Sequence, residues 1–322
     1  MRGERMDILG LGGSALDTIK VVDHLPIRDG FCSVRSTQRM LGGSGTNVLV
    51  QAQRLGARTA SISKVADDAD SELIVTSLKE IGVDTRGVVM QSGGYQAPHC
   101  LIYVDGDGEK ALVLDSDGGK ALPKMSAEEA DLDLIDEASI LYVDLTPADL
   151  SMTAVRRAKA AGKLVVFNMQ EDFDTVLAKG IDREFLYEFL KYVDVFAPCQ
   201  EGIGPFSGSY DIGRQIVFIR KYFQGSIVLT RGSAGVTAVD ELDQRNDIPA
   251  FHVDVCDTTG AGDAFIGAFM TEYLLRDQAL DTSLRFASAC AALTCTAFGA
   301  LTSPNRSVVE NFLLSAQHEE HR

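Results

Sequence analysis

Hydrophobic positions follow two alternating spacings along most of the chain. From residue 40 onward, short runs of β-branched residues are separated by stretches with apolar residues at helical spacing. The predicted strands are residues 58–65, 140–143, 164–167, 193–197, 226–230 and 250–255. The predicted helices are residues 44–55, 69–81, 149–161, 212–222, 261–275, 282–297 and 307–314, and Gly56 and Gly82 would end the first two. This alternation predicts an α/β fold with a doubly wound, mostly parallel sheet flanked by helices.

Two regions interrupt the alternation and predict a small second sheet. Residues 16–22 and 32–40 are rich in β-branched residues and have no helix between them, and residues 98–104 and 111–115 flank the turn Asp105-Gly-Asp-Gly-Glu109. We expect a few antiparallel strands here, forming a lid on the core. The chain is then one domain over residues 1–322. The lid comes from about 14–40 and 96–117, the core from 41–95 and 118–316, and residues 317–322 form a polar tail.

The glycine-rich segment Gly10-Leu-Gly-Gly-Ser-Ala15 fits the fingerprint of a dinucleotide-binding site. That fingerprint requires a helix directly after it, with the helix N-terminus facing the pyrophosphate. The following residues, 17–22, are β-branched and alternating, which predicts a strand. An NAD-dependent dehydrogenase is therefore a minor alternative, and no Walker-type phosphate loop occurs in the sequence.

The segment Asp257-Thr-Thr-Gly-Ala-Gly-Asp263 carries the sharpest chemical signal. Gly260 and Gly262 leave the first amides of the following apolar helix unshielded, so N–H groups and the helix dipole can face an anion. Asp263 could be a simple helix cap. A cap, however, needs neither the two glycines nor the preceding Asp257. A carboxylate beside a phosphate-binding turn suits phosphoryl transfer, because it can orient and deprotonate an attacking hydroxyl.

Two further glycine turns are less specific. Leu41-Gly-Gly-Ser-Gly-Thr-Asn47 opens the helix predicted at 44–55, where two adjacent glycines would admit a flat polar ligand and Asn47 could bond hydroxyls. A plain turn is an equally good interpretation. Thr230-Arg-Gly-Ser-Ala-Gly235 follows a strand and is either a tight turn or a nucleotide phosphate contact. His99 and His252 lie on β-like runs and are expected to be structural.

Composition excludes several classes of protein. The chain has 322 residues with 30 Lys and Arg against 46 Asp and Glu, a net charge of −16, which argues against nucleic-acid or membrane-surface binding. The sequence shows no transmembrane stretch and no signal peptide. Six scattered cysteines form no CxxC pair or zinc pattern, so reduced thiols and a cytoplasmic location are expected. An acidic intracellular enzyme remains the leading prediction.

Taken in order, these motifs resemble the ribokinase-like carbohydrate kinases of the PfkB family over roughly residues 7–316. The segment 257–263 matches the family's specific DTxGAGD signature, and Leu41–Asn47 with Arg54-Leu-Gly-Ala57 matches the moderately specific GGxxxN…RLGA signature. Asp17 matches the acidic residue with which these kinases hold sugar hydroxyls. The resemblance implies a ribokinase-like fold whose lid closes over the sugar and often serves as a dimer clasp.

The resemblance also implies roles for individual residues. Asp263 would be the general base, with Gly260, Ala261 and Gly262 as the anion hole for the γ-phosphate. Sugar contacts would come from Asp17, Gly42, Gly43 and Asn47. ATP contacts would come from Thr230, Gly232 and Gly235. A potassium site, as in some members, would involve Asp257, Thr259, Gly299 and Ser303.

The sequence departs from the family at three places. Its magnesium-associated NxxE motif is replaced by Cys199-Gln-Glu201-Gly, so either Glu201 takes that role or Mg²⁺ is held mainly by ATP and water. Ser44 stands where ribokinases usually carry Lys. The acidic residue they use near residues 145–147 is absent, although Asp144 is close. These departures make ribose specificity doubtful and leave the phosphoryl-transfer residues intact.

The sequence thus predicts an ATP-dependent kinase acting on a primary hydroxyl of a small sugar or sugar derivative. The helix dipole is expected to lower the pKa of Asp263. A nucleoside kinase of the same superfamily and a catalytically silent sugar-binding protein remain alternatives. A homodimer through the lid is expected. Since the phosphate site contains no Lys or Arg, backbone amides and metal ions would supply most of its positive charge.

Overall fold

A computed structural model describes residues 6–115 and 121–320. The strands in chain order are β1 (Ile8–Leu11), β2 (Ala15–Val22), β3 (Val34–Gly42), β4 (Thr59–Ala66), β5 (Asp84–Gln91), β6 (His99–Val104), β7 (Lys110–Asp115), β8 (Ile140–Val143), β9 (Leu164–Met169), β10 (Val195–Pro198), β11 (Ser226–Thr230), β12 (Val236–Val239) and β13 (Arg245–Ile248).

Helices occupy most of the segments between the core strands. They are α1 (Ser44–Arg54), α2 (Ala69–Ile81), α3 (Leu134–Glu137), α4 (Ala148–Ala160), α5 (Phe173–Ala178), α6 (Arg183–Leu190), α7 (Gln200–Ser207), α8 (Ile212–Arg220), α9 (Ala261–Phe269), α10 (Leu280–Thr294) and α11 (Arg306–Glu320). A π-helical turn, Met270–Leu275, continues α9, and short 3₁₀ turns lie at Gly232–Ala234 and Ala300–Thr302.

Nine strands form the main sheet in the order β13-β12-β11-β10-β9-β8-β1-β4-β5. The pairs from β11 through β5 are parallel, and β12 and β13 add an antiparallel edge. Most predicted core elements are confirmed to within two residues at each end, and α2, β8 and β11 match their predictions at both ends. The doubly wound, mostly parallel architecture is therefore confirmed.

Two apolar layers cover the opposite faces of this sheet. Along β8, Leu141 and Val143 join the cluster that packs under α4 and α6, whereas Ile140 and Tyr142 join the cluster under α1, α9 and α10. Successive strand residues point to opposite faces, so a strand covered on both sides is mainly apolar at consecutive positions. This explains why β8 has no charged residue and is completely buried.

The lid is a separate four-stranded sheet in the order β3-β2-β6-β7. As expected, β2 pairs with β3 and β6 with β7 in antiparallel fashion, but the central pair, β2 with β6, is parallel, which corrects the purely antiparallel prediction. A parallel pair needs a long connection, and here the chain between these strands runs through the core. The domain boundaries proposed from the sequence remain a prediction. Residues 116–120 and 321–322 of the predicted lid, core and tail lie outside the described residues.

The strand predicted at residues 250–255 is wrong. These residues have no strand partner, because the main sheet ends at β13. The apolar residue Phe251 instead packs edge-to-face against Phe312 of α11, with ring centroids 5.2 Å apart, and Val255 is half exposed. Two helix ends also differ from expectation. Helix α10 ends at Thr294, and α11 continues through residues 317–320 of the predicted tail.

The start of the chain contains no dinucleotide-binding turn. After β1 the chain passes directly into β2, so the helix that a pyrophosphate site requires does not follow Gly10–Ala15. Among the described residues, no helix is both long and apolar enough for a membrane crossing.

Candidate active site

The N-terminus of α9 opens onto a cavity at the carboxyl edge of the main sheet. Gly260 caps this helix with a φ of 78°, and a Cβ there would lie 2.7 Å from the Ala300 Cα, so glycine is required. Ala261 N–H is 3.4 Å from the Thr258 carbonyl oxygen. A Cβ on Gly262 would meet no other atom within 4 Å outside its own helix and chain neighbours. Ala261 N–H is thus engaged, but the first turn of α9 borders open space at Gly262, and this space beside a helix N-terminus suits an anion.

Asp263 is held in the same turn by three side chains from distant segments. Asn47 Nδ2 donates to its Oδ2 at 2.8 Å, and Ser44 Oγ donates to its Oδ1 at 3.0 Å. Gln170 Nε2 also donates to Oδ1. Asn47 and Ser44 lie in the first turn of α1, so the two glycine turns predicted from the sequence meet at one carboxylate.

Burial raises the pKa of Asp263, and the hydrogen bonds from Asn47, Gln170 and Ser44 oppose that effect only in part. The expectation of a lowered pKa is therefore wrong. It considered only the dipole of α9, whereas only 6% of the residue is accessible to solvent once α1 packs against it. A raised pKa makes this carboxylate a stronger base near neutral pH.

The turn before α1 places Asp17 beside the base. Gly43 caps α1 with a φ of 90°, and a Cβ there would lie 2.5 Å from the Gly13 carbonyl oxygen. A Cβ on Gly42 would lie 2.0 Å from Asp17 Oδ2, so the glycine makes room for that carboxylate. Burial and the neighbouring charge of Asp263 raise the pKa of Asp17 to about 7. The structure thus brings the predicted acceptor-side residues together around Asp263.

Asp144, noted in the sequence only for its position, lies at the same edge. It follows β8 directly, and its Oδ2 is 3.4 Å from the Gly13 backbone nitrogen, which donates to it. Burial raises its pKa to about 7. It lines a small cavity of about 80 Å³ together with Ser44 and Gln170, next to the base.

The cavity at the N-terminus of α9, called the active-site cavity below, has a volume of about 220 Å³. It is lined by residues at the carboxyl ends of three strands, by the turn before α9 and by one lid residue. These are Lys110, Asn168, Gln170, Cys199, Thr230, Thr258, Gly260, Gly262, Asp263 and Ile266.

The predicted ATP-contact residues separate into two groups. Thr230 lines the active-site cavity. Gly232 and Gly235 belong to the tight turn between β11 and β12 and are not among the residues lining it. A Cβ on Gly235 would lie 2.1 Å from the Ile248 carbonyl oxygen, so close backbone packing accounts for that glycine.

Three of the predicted potassium residues already bond one another, and the fourth bonds an arginine. Asp257 Oδ1 accepts from Thr259 N and Oγ1 at 2.8 and 2.6 Å, and its Oδ2 accepts from Gly299 N at 2.9 Å. Ser303 is bound by Arg54, whose Nη1 donates to the Ser303 carbonyl oxygen at 2.6 Å. A potassium site therefore remains a prediction.

The residues near the altered magnesium motif do not form a protein cage for a metal. Glu201 lies in the first turn of α7 and is exposed. Cys199, where the family has Asn, caps α7 by accepting from Gly202 N at 3.2 Å. Within residues 6–115 and 121–320, no group of three or more His, Cys, Asp or Glu side chains is placed to hold a metal ion.

Sequence reasoning missed Gln170, Asn168 and Lys110. Gln170 and Asn168 lie at the end of β9, and the available signal was their position after a predicted buried strand, where α/β proteins place their ligands. Lys110 had no local signal, because its place depends on how the lid strands pair. His99 is structural, as expected: its Nε2 is 2.7 Å from Thr18 Oγ1.

Comparison with known proteins gives a consistent result. Residues 12–306 match the family model for pfkB family carbohydrate kinases. An ATP-dependent ribose-1-phosphate kinase of Halopiger xanaduensis is 32% identical over 307 residues, which cover 95% of this chain and 97% of that protein. A ribokinase of Haemophilus influenzae is 29% identical over 279 residues, covering 84% and 87%.

Solved structures are similar in fold. The crystal structure of a putative ribokinase II from E. coli in complex with ATP and Mg²⁺ has a TM-score of 0.83 at 20% identity, covering 96% of this chain and 99% of that one. At this identity the likeness concerns the fold alone. It matches a large, mostly parallel sheet with a small separate sheet, as described above.

Proposed function

The chain belongs to the pfkB family of carbohydrate kinases, and on that premise we propose that it transfers the γ-phosphoryl group of ATP to a primary hydroxyl of a small sugar or sugar derivative. The observation that carries the proposal is the position of Asp263. This carboxylate is fixed by three side-chain donors at the open N-terminus of α9. The named relatives include an ATP-dependent ribose-1-phosphate kinase and a ribokinase, which support a sugar acceptor and ATP as donor.

In the proposed mechanism Asp263 accepts the proton of the acceptor hydroxyl. The hydroxyl oxygen forms a bond to the γ-phosphorus as the bond from that phosphorus to the β-γ bridging oxygen breaks, and ADP leaves. The N–H groups at the start of α9, including those of Gly260 and Gly262, stabilise the charge on the transferring group. The raised pKa of Asp263 favours its role as base.

Asp17 and Asn47 would hold the other sugar hydroxyls on the acceptor side. Asn47 already donates to Asp263, and the carbonyl oxygen of its side chain is buried with no hydrogen-bond partner among the described residues. Magnesium bound to the ATP phosphates would add positive charge, but no step above depends on a protein cage for it.

A homodimer is part of the proposal. Strand β7 lies at the edge of the lid and exposes Leu112, Val113 and Leu114, which are 55%, 48% and 74% accessible. An exposed apolar edge strand is a natural place for a second copy to bind. A cytoplasmic location, expected from the cysteine usage, also remains a prediction.

The deciding experiment measures ADP release with pentoses, hexoses, sugar phosphates, sugar acids and nucleosides for the wild type and for Asp263→Asn. We expect a sugar acceptor and a fall in kcat of about 10³-fold in the variant, because a positioned base contributes about that factor. Asp281→Asn, an exposed first-turn aspartate of α10, is the matched control and should keep wild-type turnover.

Three outcomes would contradict the proposal. Near-normal turnover by Asp263→Asn would exclude this residue as the base. Activity with nucleosides alone would favour a nucleoside kinase. Thermal stabilisation by sugars without ADP release from any acceptor would indicate a silent binding protein.

A further inference from the structure

A single lid residue brings positive charge into the active-site cavity. Of the described residues that line it, Lys110 alone is a cation. No carboxylate in the described part of the chain forms an ion pair with its ammonium group. Other basic residues, such as Arg86, Arg157 and Lys179, form ion pairs with carboxylates. An unpaired ammonium group beside a phosphate-binding turn has the chemistry to bind a phosphoryl group.

The pairing of the lid strands determines where Lys110 lies. Lys110 is opposite Val104, and Val104 is opposite Val21. Val21 is four residues from Asp17 along β2, and residues an even number apart lie on the same face of a strand. Lys110 therefore shares its sheet face with Asp17, whereas Lys20, opposite Tyr103, lies on the other face.

The hairpin carrying Lys110 is seated against the segment that precedes the phosphate-binding turn. Asp105 Oδ1 accepts from the backbone nitrogens of Asp107 and Glu109, both at 3.0 Å, which fixes the hairpin. At its tip, a Cβ on Gly108 would lie 3.4 Å from the Cys256 carbonyl oxygen. Residue 256 directly precedes Asp257, so the lid and the signature turn are in contact.

We propose that Lys110 donates to the transferred phosphoryl group and stabilises its charge during transfer. The proposal rests on the kinase function proposed above. The lysine shares its cavity with Gly260, Gly262 and Thr258, the residues of the phosphate-binding turn, rather than with Asn47 or Gly43 on the acceptor side. Burial raises the pKa of Asp263, and the positive charge of Lys110 is one of the smaller opposing effects, consistent with this position.

The role is electrostatic and changes no bond of the lysine. The acceptor oxygen still forms its bond to the γ-phosphorus, ADP still leaves, and the hydroxyl proton still passes to Asp263. The ammonium group keeps its three protons throughout and contacts the phosphoryl oxygens, which carry the negative charge during transfer. A cation at this position supplies charge that the turn of α9, which contains no Lys or Arg, does not.

The test compares Lys110→Met and Lys110→Arg with Lys20→Met, a matched control on the opposite face of the same sheet. We expect Lys110→Met to lower kcat about 10²-fold, in the range seen when one donor to transition-state charge is removed. Lys110→Arg should recover most of the loss, since it keeps the charge, and Lys20→Met should match the wild type. Thermal unfolding of all three verifies that they fold.

A binding measurement gives a readout independent of turnover. We expect Lys110→Met to bind ADP with wild-type affinity, but to bind ADP with aluminium fluoride, which mimics the transferring phosphoryl group, at least tenfold more weakly. Unchanged kcat and unchanged aluminium fluoride binding in Lys110→Met would overturn the inference. So would a raised KM for the acceptor with unchanged kcat, since Lys110 would then hold the acceptor. If the wild type itself releases no ADP with any sugar, the proposed function fails instead.

Discussion

The two glycine turns that meet at Asp263 look alike in the sequence and differ in what surrounds them. Each begins a helix, and each has a glycine cap in the left-handed region, Gly43 with a φ of 90° before α1 and Gly260 with a φ of 78° before α9. Because both cap residues are glycines, neither helix N-terminus is capped by a side-chain hydrogen bond. By local criteria both are anion-binding turns.

Packing separates their roles. The first turn of α1 lies on the backbone between β1 and β2: a Cβ on Gly45 would lie 2.7 Å from the Gly12 Cα, and Thr46 N–H donates to the Gly13 carbonyl oxygen at 3.3 Å. The first turn of α9 faces the cavity, with open space at Gly262. The former turn is therefore scaffolding that presents Asn47 and Ser44, and the latter is free to bind phosphate.

Charge follows the same division. Carboxylates lie on the acceptor side, where Asp17 and Asp144 both have pKa values raised to about 7. On the phosphate side the described lining contributes Lys110 and the turn of α9. A neutral polyol suits the first environment and a phosphoryl group the second, so we propose that the two turns divide the substrates between them.

The largest effect is expected from removing divalent cations. ATP is a polyanion and the protein has a net charge of −16, so one lysine and a helix terminus leave much of the phosphate charge without compensation. Metal ions bridging the phosphates neutralise that charge in phosphoryl transfer. We expect EDTA to lower the rate of ADP release by about 10³-fold or more.

The control for this prediction is restoration by excess Mg²⁺ in the same sample. If EDTA leaves the rate intact, the open turn and Lys110 alone neutralise the phosphate charge. Our inference that metal ions are needed on the phosphate side would then be wrong.

The second prediction concerns stability on the acceptor side. The folded-state pKa of Asp17 is raised from 3.8 to about 7, so folding favours its protonated form. The associated stability is fully present below about pH 4 and is lost as the pH rises through 7. Asp17→Asn removes this titration. Its free energy of unfolding relative to wild type should therefore increase by about 3 kcal/mol between pH 5 and pH 8, at 1.36 kcal/mol per pH unit up to the folded pKa.

Urea unfolding at the two pH values measures this difference, and Asp281→Asn controls for the substitution itself. A constant difference between Asp17→Asn and wild type would show that the carboxylate is ionised in the folded protein at both pH values. The acceptor side would then carry a buried negative charge, which contradicts the contrast drawn above.

Much of the fold could be predicted from the sequence because its signals are local. Helical periodicity with a glycine stop defines α2, and four apolar residues between turns define β8. The small second sheet followed from β-rich segments with no helix between them. The strand predicted at 250–255 failed because its alternation reflects packing of Phe251 against α11, and periodicity does not identify the packing partner.

The candidate site could be predicted where its residues belong to recognisable motifs. Asp263 and its glycines share one signature, and Asn47 lies in another. Gln170 and Lys110 each enter from a different element and are adjacent to the base only through strand order and register. The predicted direction of the Asp263 pKa shift was wrong for the same reason, since the burial that raises this pKa comes from long-range packing.

The third prediction tests the contrast between the turns with one methyl group at each. Gly262→Ala adds a methyl in open space at a helical position, so folding should be unaffected or slightly favoured, because alanine suits a helix better than glycine. The methyl would, however, stand where phosphoryl oxygens approach the N–H groups. We expect kcat to fall about 10²-fold, as for loss of one such donor.

Gly45→Ala is the matched substitution in the other turn, and it should produce the opposite pattern. Its methyl would meet the Gly12 Cα at 2.7 Å, a backbone contact that cannot rotate away. Overpacking of this kind lowers the free energy of unfolding by about 1–3 kcal/mol. Thermal unfolding and ADP-release rates of both variants measure the two effects together. If Gly262→Ala keeps its kcat while Gly45→Ala keeps its stability, the two turns do not differ in openness, and the phosphate must be bound elsewhere.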